Sequence, residues 1–464
     1  MKVKQINSIY IVIVVASIAA SSSCKKFVQT DPPKSQLTQN TVFTSDALIN
    51  GSLNGIYANM ESSSNYSGGD VAGLTYLGGE SSDDFLSAST NDAFYTNNLL
   101  PNDYHVLNFW STPYQDIYRA NAVLDGLASA QGVSMAMLKQ AEGEAKFVRA
   151  FSHFYLVNMF GDVPLVKTTD YKLNLAAVRT PAVQVYQQII ADLKDAQALL
   201  GTDYSAGGGE RVRPNKWVAT ALLARAYLYT GDWANAEAQA STVIGTSLYK
   251  LSTIAGAFLK NSSETIWAFG RTSGNTNDAF VFGATPGASP FLVSIQPSSI
   301  ARFDPSDKRL LNWILTTKDY TGATWYYPYK YRNASLTPVT EYAIVLRMAE
   351  QYLIRAEARA QQNRITGPGS AQQDIDTIRA RAGLPGTTAT TQSSMLLAVE
   401  NERYFELFSE WAHRWFDLRR TGRAAAVLSS LKPGWQSFKE LYPIPQSQID
   451  SDPAMAGQQN PGYH

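Results

Sequence analysis

The chain has 464 residues, 45% of them hydrophobic, and its 39 Lys and Arg side chains equal its 39 Asp and Glu side chains in number. This length and apolar content predict a large folded core. The balanced charge excludes a bulk electrostatic field that would attract nucleic acid or an anionic membrane, so we expect no nucleic-acid partner. Tyr is the commonest aromatic residue, with 25 copies against 19 Phe and 9 Trp. Because tyrosine suits half-wetted surfaces, this composition favours a binding surface in addition to core packing.

The first 23 residues have the pattern of a signal peptide. Lys2 and Lys4 precede an apolar run over residues 9–20, and three serines follow it. The run is too short to span a bilayer, which takes about 20 apolar residues. Cys24 is the only cysteine in the chain, and cleavage after residue 23 would make it the first mature residue. We therefore predict a bacterial lipoprotein lipidated at Cys24, in preference to a plain secreted protein.

Residues 24–44 are expected to form a polar, proline-containing tether between this anchor and the first helix. That helix is predicted over 45–60, with Ser45 or Asp46 as its cap. From 62 to 108 the helical periodicity is lost, and paired Gly and Asn residues indicate a long irregular segment, here called the first excursion. Segments of this length in a compact chain are functional or disordered. Its aromatic residues argue against disorder; they include Tyr76, Phe94 and Tyr95.

Helical periodicity returns after the first excursion, over 110–127, 141–160 and 181–200. The helix 141–160 is expected to stop at Gly161-Asp162, where the chain leaves in an extended conformation.

The segment 213–245 predicts a helical hairpin. Apolar residues recur at helical spacing on both sides of Gly231-Asp232, and small residues such as Ala224 fall where the two helices would face each other. This is the pattern of a tetratricopeptide-like unit. One such unit cannot bury its own apolar face, and 345–361 followed by 371–382 has the pattern of a second one.

A second excursion covers 261–340 and begins with a predicted short strand at 264–270. It ends in the sequence ATWYYPYKYR, which contains Trp325, Tyr326 and Tyr327. Sugars present flat apolar C–H faces ringed by hydroxyl groups, so exposed Trp and Tyr rings beside polar side chains would suit them. The alternative is that these rings are buried against the helices. In an extended segment Trp325 and Tyr327 would share one side and Tyr326 would lie on the other.

The acidic residues Glu402, Glu406 and Glu410 lie four positions apart, and paired carboxylates near aromatic residues could perform glycosidase chemistry. An ion pair between Glu410 and Arg414 at helical spacing is the favoured interpretation, because several arginines nearby supply counter-charges. The four histidines lack the spacing of a metal site. We expect no catalytic residues, no metal and no cofactor.

A family resemblance is carried, in chain order, by CKKF, FWSTPYQDIYRANAVL, GEAKFVRAFSHFYLVNMFGDVPLV, LRMAEQYLIRAEARA, ENERYFELFSEWAHRWFDLRR and LYPIPQSQIDSDPAMAGQQNPGY. Together these segments resemble the SusD/RagB family of Bacteroidetes outer-membrane lipoproteins. The resemblance implies a mainly α fold, with tetratricopeptide-like hairpins in a right-handed superhelical scaffold, long irregular loop insertions and few short strands. At residues 410–414 the family has Glu-Gly before Arg, and we expect this departure to leave the helix intact but to alter the local turn.

The resemblance further implies a lipid-anchored, surface-exposed protein of the outer membrane that captures oligosaccharides or other nutrients for a SusC-like TonB-dependent transporter. The expected regions are a signal peptide (1–23), a lipidated tether (24–44), a helical N-terminal region (45–260) and a C-terminal region (261–464) in one compact unit. Two alternatives remain open: an all-helical secreted polysaccharide-degrading enzyme, and a tetratricopeptide adaptor that binds peptides. The ligand candidates are Trp325, Tyr326, Tyr327, Phe94, Tyr95 and Tyr76.

Overall fold

The computed structural model describes residues 39–62, 64–69, 71–283 and 292–463. The predicted signal peptide, Cys24 and most of the tether lie outside the described residues. Within these ranges the chain is mainly helical with a few short strands, so the predicted fold class is confirmed. No helix in this part of the chain combines the length and the apolar character that a membrane crossing requires.

The helices, in chain order, are α1 Gln39–Val42, α2 Asp46–Glu61, α3 Leu74–Ser81, α4 Tyr104–Leu127, α5 Met135–Phe160, α6 Tyr171–Asn174, α7 Ala182–Leu199, α8 Lys216–Tyr229, α9 Trp233–Ile244, α10 Asn277–Val281, α11 Pro297–Ile300, α12 Lys308–Trp313, α13 Met348–Gln361, α14 Ala371–Ala382, α15 Gln392–Leu407, α16 His413–Arg420, α17 Ala424–Leu428 and α18 Gln446–Ser451. The strands are β1 Phe85–Ser87, β2 Val163–Pro164, β3 Arg179–Thr180, β4 Thr265–Phe269, β5 Val293–Ile295, β6 Ile314–Lys318, β7 Thr324–Pro328 and β8 Ala343–Arg347. They form four antiparallel pairs: β1 with β5, β2 with β3, β4 with β8 and β6 with β7.

The predicted hairpin is formed by α8 and α9. The Asn215 side chain caps α8 by accepting from the backbone N–H groups of Trp217 and Val218. Gly231 adopts a φ of 73° in the turn, and Asp232 then caps α9. Small, fully buried alanines, Ala224 among them, let the helices approach closely. The hairpin prediction is therefore confirmed.

The second predicted unit consists of α13 and α14. α14 has the predicted bounds, but α13 begins at Met348 rather than at residue 345, because Val345–Arg347 belong to β8, which pairs with β4. Neighbouring helices pack in sequence from α4 through α5, α7, α8, α9 and α13 to α14 and α15. This stack is the scaffold on which the excursions rest.

The expectation of an uninterrupted helix through residues 410–414 is wrong. α15 ends at Leu407, and Ser409, Trp411 and Ala412 all have positive φ before α16 begins at His413. Such backbone is unfavourable for residues other than glycine. Tertiary contacts hold it here: Lys330 donates to the backbone carbonyl of Phe408 (2.7 Å), and the Trp411 indole N–H donates to that of Ile344 (2.8 Å).

Candidate functional site

The two excursions meet through backbone pairing. β1 of the first excursion and β5 of the second form an antiparallel pair in which Phe85 lies opposite Ile295. The side-chain amide of Asn277 also donates to the carbonyl of Gly68 (3.2 Å). Residues more than 200 positions apart are thus joined into one substructure beside the helical stack.

The β6–β7 hairpin of the second excursion has a hydrogen-bonded tip. Thr317 lies opposite Trp325 and Leu315 lies opposite Tyr327. In the connecting turn the Asp319 carboxylate accepts from the backbone N–H of Thr321 (2.8 Å) and, through its second oxygen, from the indole N–H of Trp325 (2.9 Å). Hydrogen bonds from Thr321 and Trp325 lower the pKa of Asp319 to about 2, so its carboxylate is ionised at neutral pH and orients the Trp325 ring.

This tip carries the most exposed aromatic ring of the described hairpin. Tyr320 is 81% exposed, and Trp325 and Tyr326 are half-buried. Tyr326 also packs against an apolar cluster that contains Phe303 and Trp313. Because neighbouring strand residues point to opposite faces, Tyr326 lies on the other side of β7 from Trp325. We call Asp319, Tyr320 and Trp325 the hairpin platform. It places aromatic faces next to a carboxylate, which is the chemistry that suits a sugar ring.

Tyr327 does not belong to this surface. Only 4% of the residue is exposed, and it lies on the same side of β7 as Trp325 but two positions further along, where the strand residues are buried. Its ring is core, so the expectation of ligand contact at Tyr327 is corrected.

Two aromatic candidates of the first excursion are also core residues. Phe94 is 2% exposed, with its ring centroid 5.8 Å from that of Phe109 and 5.6 Å from that of Tyr442. Tyr76 is 7% exposed and stacks on Phe282 at 6.3 Å. Both rings pack against residues far away in sequence, which local pattern cannot reveal, and neither offers a face to a ligand.

Tyr95 is the candidate of the first excursion that remains half-exposed. The Lys432 ammonium lies 5.5 Å from its ring centroid. Lys432 donates to the carbonyls of Glu80 and Ser81, and burial lowers the pKa of Lys432 to about 7. Burial and the negative charge of Asp92 raise the pKa of the neighbouring Glu80 to about 8.

Sequence reasoning missed four exposed large side chains on the described part of the second excursion: Tyr320, Phe280 (71% exposed), Leu311 (78% exposed) and Leu336 (75% exposed). Tyr320 could have been found, since the turn residues Asp319 and Gly322 around it predict a hairpin tip. Phe280 lies on the five-residue helix α10, which has no readable periodicity.

The acidic residues Glu402 and Glu406 of α15 form salt bridges in a buried cluster of charged side chains. Arg309 donates to Glu402 (2.7 Å) and to Glu406 (3.0 Å). Burial alone would raise the pKa of the Glu406 carboxyl, but the guanidinium groups of Arg381, Arg347 and Arg309 overcome this effect and hold the pKa well below its usual range. A carboxyl held ionised in this way cannot act as a general acid.

Glu410 does not form the predicted ion pair with Arg414. Its partners are Arg347 and Lys330, whereas Arg414 pairs with Asp83 (2.6 Å). The break before α16 removes the helical spacing on which the Glu410–Arg414 expectation depended. The contacts agree with a structural role for these acidic residues, but the predicted ion pair between Glu410 and Arg414 is wrong.

Two protein-family models match the chain. One, described as starch-binding and associating with the outer membrane, matches residues 26–228, and the other, described as the SusD family, matches residues 316–463. A SusD-like protein of Formosa agariphila is 24% identical over 523 residues, which cover 96% of this chain and 97% of that protein.

Solved structures show the same fold. A SusD superfamily protein of Bacteroides thetaiotaomicron is 24% identical with a TM-score of 0.77, over 90% of this chain and all of that one. A laminarin-binding SusD-like protein is 26% identical with a TM-score of 0.74, over 91% of this chain and all of that one.

Proposed function

The chain belongs to the SusD/RagB family, and from that premise we propose that it is a non-catalytic lipoprotein that captures oligosaccharides at the cell surface. It delivers them to a SusC-like TonB-dependent transporter in the outer membrane. The observation that carries the capture role is the hairpin platform, where Tyr320 is 81% exposed and follows Asp319 in the chain, and where Asp319 orients the Trp325 ring.

The platform has what sugar binding requires. The faces of Trp325 and Tyr320 can stack on the C–H side of a pyranose, and the ionised Asp319 carboxylate can accept hydrogen bonds from ring hydroxyls. The hydrogen bond from the Trp325 indole N–H fixes the ring before ligand arrives, which lowers the entropic cost of binding. Tyr95 of the first excursion is the further candidate contact.

Attachment to the outer membrane is proposed through lipidation of Cys24. The segment of 14 residues from 25 to 38 then connects the anchor to α1. A fully extended segment of that length reaches at most about 50 Å, which limits how far the helical body can lie from the anchor.

The experiment that tests capture is calorimetry of the purified mature chain with laminarin and starch oligosaccharides. These are the first ligands to test because a similar structure is of a laminarin-binding protein and one family model is described as starch-binding. We expect Trp325→Ala and Tyr320→Ala to weaken binding by roughly 2-fold to 100-fold, from the loss of one stacking contact each.

The matched control is Leu397→Ala. Leu397 is an apolar residue of α15 that is 52% exposed. It should bind as wild type does, and all variants should keep the wild-type melting temperature. If both platform variants bind with wild-type affinity, the glycan site is not on the β6–β7 hairpin. Release of shorter sugars from either polysaccharide by the wild-type chain would contradict a non-catalytic role.

A further inference from the structure

A cavity of about 820 Å³ lies between five helices of the stack. Its wall is formed by the end of α8, the start of α9, the side of α13, the side of α15 and the end of α16. Small-molecule sites in proteins have volumes of about 300–1,000 Å³. None of the lining residues belongs to the hairpin platform or to either excursion. This space, here called the stack cavity, is therefore separate from the proposed glycan site.

One part of the wall of the stack cavity is apolar. Leu228 of α8, Trp233 of α9 and Leu396 of α15 line it. Leu228 belongs to the buried core, whereas Trp233 and Leu396 are half-buried and pack on the edges of apolar clusters. Aliphatic and aromatic side chains with exposed area bind the apolar body of a small ligand. The apolar part of the wall therefore favours a ligand that has such a body.

The other part of the wall consists of salt bridges between helices. Asp417 accepts from Nε of Arg403 (2.6 Å) and from Nε of Arg420 (2.8 Å). Both carboxylate oxygens of Glu357 accept from the two terminal nitrogens of Arg420, at 2.5 and 2.7 Å. The acceptor groups on this part of the wall are thus already engaged by arginine side chains.

Glu400 of α15 is engaged in the same way. Its two oxygens accept from Arg414 (3.4 Å) and from Arg423 (3.2 Å). Four arginines and three carboxylates therefore line the cavity, while Asp83, which pairs with Arg414 at 2.6 Å, lies outside its wall. The lining residues carry one formal positive charge in excess, and every carboxylate oxygen among them accepts from an arginine.

Two hydrogen-bond donors on the wall remain without a partner among the described residues. One is the Nη1 group of Arg403, a residue that is only 2% exposed, and the other is the hydroxyl of Tyr229 at the end of α8. Both residues line the stack cavity. Burial raises the pKa of Tyr229, so its hydroxyl keeps the proton that it can donate. An unsatisfied buried donor is unfavourable, and a ligand that supplies an acceptor oxygen would relieve both.

This excess of donors over acceptors selects the chemistry of the ligand. A carboxylate accepts hydrogen bonds only, whereas each sugar hydroxyl also carries a proton that needs an acceptor, and the carboxylates of the wall are engaged. One negative charge also matches the formal excess of one positive charge, which a phosphate dianion would exceed. We infer that the stack cavity is a second binding site for a small organic carboxylate with an apolar body. Arg403 and Tyr229 bind its carboxylate, and Trp233 and Leu396 contact its apolar body.

The test is calorimetry of the purified mature chain with 2-naphthylacetate and with 2-naphthylacetamide. The two probes share an apolar body of two fused rings and differ in that the amide is neutral and also carries N–H donors. We expect the carboxylate to bind roughly tenfold more tightly than the amide, because charge-assisted hydrogen bonds to arginine are the stronger kind.

The first variant is Tyr229→Phe. It removes a hydroxyl that has no partner among the described residues, so no existing hydrogen bond is lost and the melting temperature should not fall. Its affinity for 2-naphthylacetate should drop roughly tenfold, from the loss of one hydrogen bond to a charged group. The matched control is Tyr227→Phe on the same helix, because Tyr227 is not among the residues that line the cavity. It should bind the carboxylate as wild type does.

The second variant is Ser393→Glu, which tests the sign of the ligand's charge. Ser393 is an exposed lining residue in the first turn of α15, where an acidic side chain is favourable for the helix. The added negative charge should weaken binding of 2-naphthylacetate and leave binding of the amide unchanged. Ser393→Gln has nearly the same size without the charge, and it should bind both probes as wild type does.

Each contrary result overturns a stated part of the inference. If wild type fails to bind 2-naphthylacetate at millimolar concentration, the stack cavity is not a carboxylate site. Equal affinity for the acid and the amide would exclude recognition of the carboxylate. If neither Tyr229→Phe nor Ser393→Glu changes the affinity, the probe binds elsewhere on the chain. Displacement of the probe by laminarin or starch oligosaccharides would mean that it occupies the glycan site, whereas failure of those glycans to bind contradicts only the proposed function.

Discussion

The guanidinium group of Arg347 and the carboxylate of Glu410 form a buried two-point ion pair, with Nε 2.8 Å from Oε2 and Nη2 2.8 Å from Oε1. Arg347 ends β8, and Glu410 lies in the break between α15 and α16. Lys330, from the end of the second excursion, donates to the same carboxylate at 2.5 Å. One acidic side chain thus holds together a strand, a helix break and the segment that follows the hairpin platform.

We expect Arg347→Met to lower the free energy of unfolding by about 3–5 kcal/mol. The substitution removes one buried positive charge that Glu410, Glu406 and Glu264 share. Lys330, Arg309 and Arg381 remain as their partners, but the buried cluster is left with an excess of negative charge. Chemical denaturation at pH 7 measures the change.

The control for this substitution is Arg423→Met. Arg423 pairs with Glu400 at 3.2 Å but its side chain is 45% exposed, so its loss should cost at most about 1 kcal/mol. Equal effects of the two substitutions would contradict a structural role for the buried cluster.

The second prediction concerns pH. Burial and Asp92 raise the pKa of Glu80 from 4.5 to about 8, so between these values the folded chain holds a proton that the unfolded chain releases. The unfolding free energy contributed by this group therefore falls as pH rises through that window. Glu80→Gln removes the effect, and we expect it to be more stable than wild type at pH 7, by on the order of 2 kcal/mol, with the difference shrinking toward pH 4.5.

Thermal and urea unfolding of both proteins between pH 4.5 and 7 provides the measurement. The pH range stops at 7 because the pKa of Lys432 is lowered to about 7. Above that pH, Lys432 makes the unfolding free energy rise with pH, which opposes the effect of Glu80. A constant difference between the two proteins across the window would show that Glu80 does not titrate there.

The third prediction concerns the hairpin of α8 and α9. Ala224 is fully buried on α8, so Ala224→Phe should overpack the interface and cost about 1–3 kcal/mol or more. Ala238→Phe places the same ring on the exposed side of α9 and should leave the melting temperature near that of wild type. Indistinguishable melting temperatures for the two variants would undercut the close approach of these helices.

The fourth prediction concerns the anchor, which lies outside the described residues. If Cys24 carries the lipid, Cys24→Ala should yield a folded chain that no longer sediments with membranes, because the single thiol is the attachment point. Fractionation is to be done in cells that lack the transporter, so that docking cannot retain the chain. Continued membrane association there would exclude lipidation as the anchor.

The family was predicted correctly from six ordered motifs, and local pattern predicted the hairpin of α8 and α9 and the bounds of α14. Helix periodicity and capping depend on residues within one or two helical turns of each other. The roles of Asn215 and Asp232 as caps and of Ala224 at the helix contact can therefore be recognised from the local sequence. The tether and anchor stay predictions, because no described residue reports on Cys24.

Tertiary structure decided which aromatic residues form the candidate site. Phe94 and Tyr76 are core because Phe109, Tyr442 and Phe282 cover them, and no local pattern records those distant contacts. Tyr327 is buried at the end of β7. Tyr320 is exposed because Asp319 closes the turn beneath it. The break at Ser409–Ala412 likewise depends on Lys330, about 80 positions away. The sequence by itself determined the hairpin of α8 and α9, the helix α14 and the family, since these follow from short-range periodicity and motif order. Burial and exposure depend on long-range packing, which only the folded chain decides.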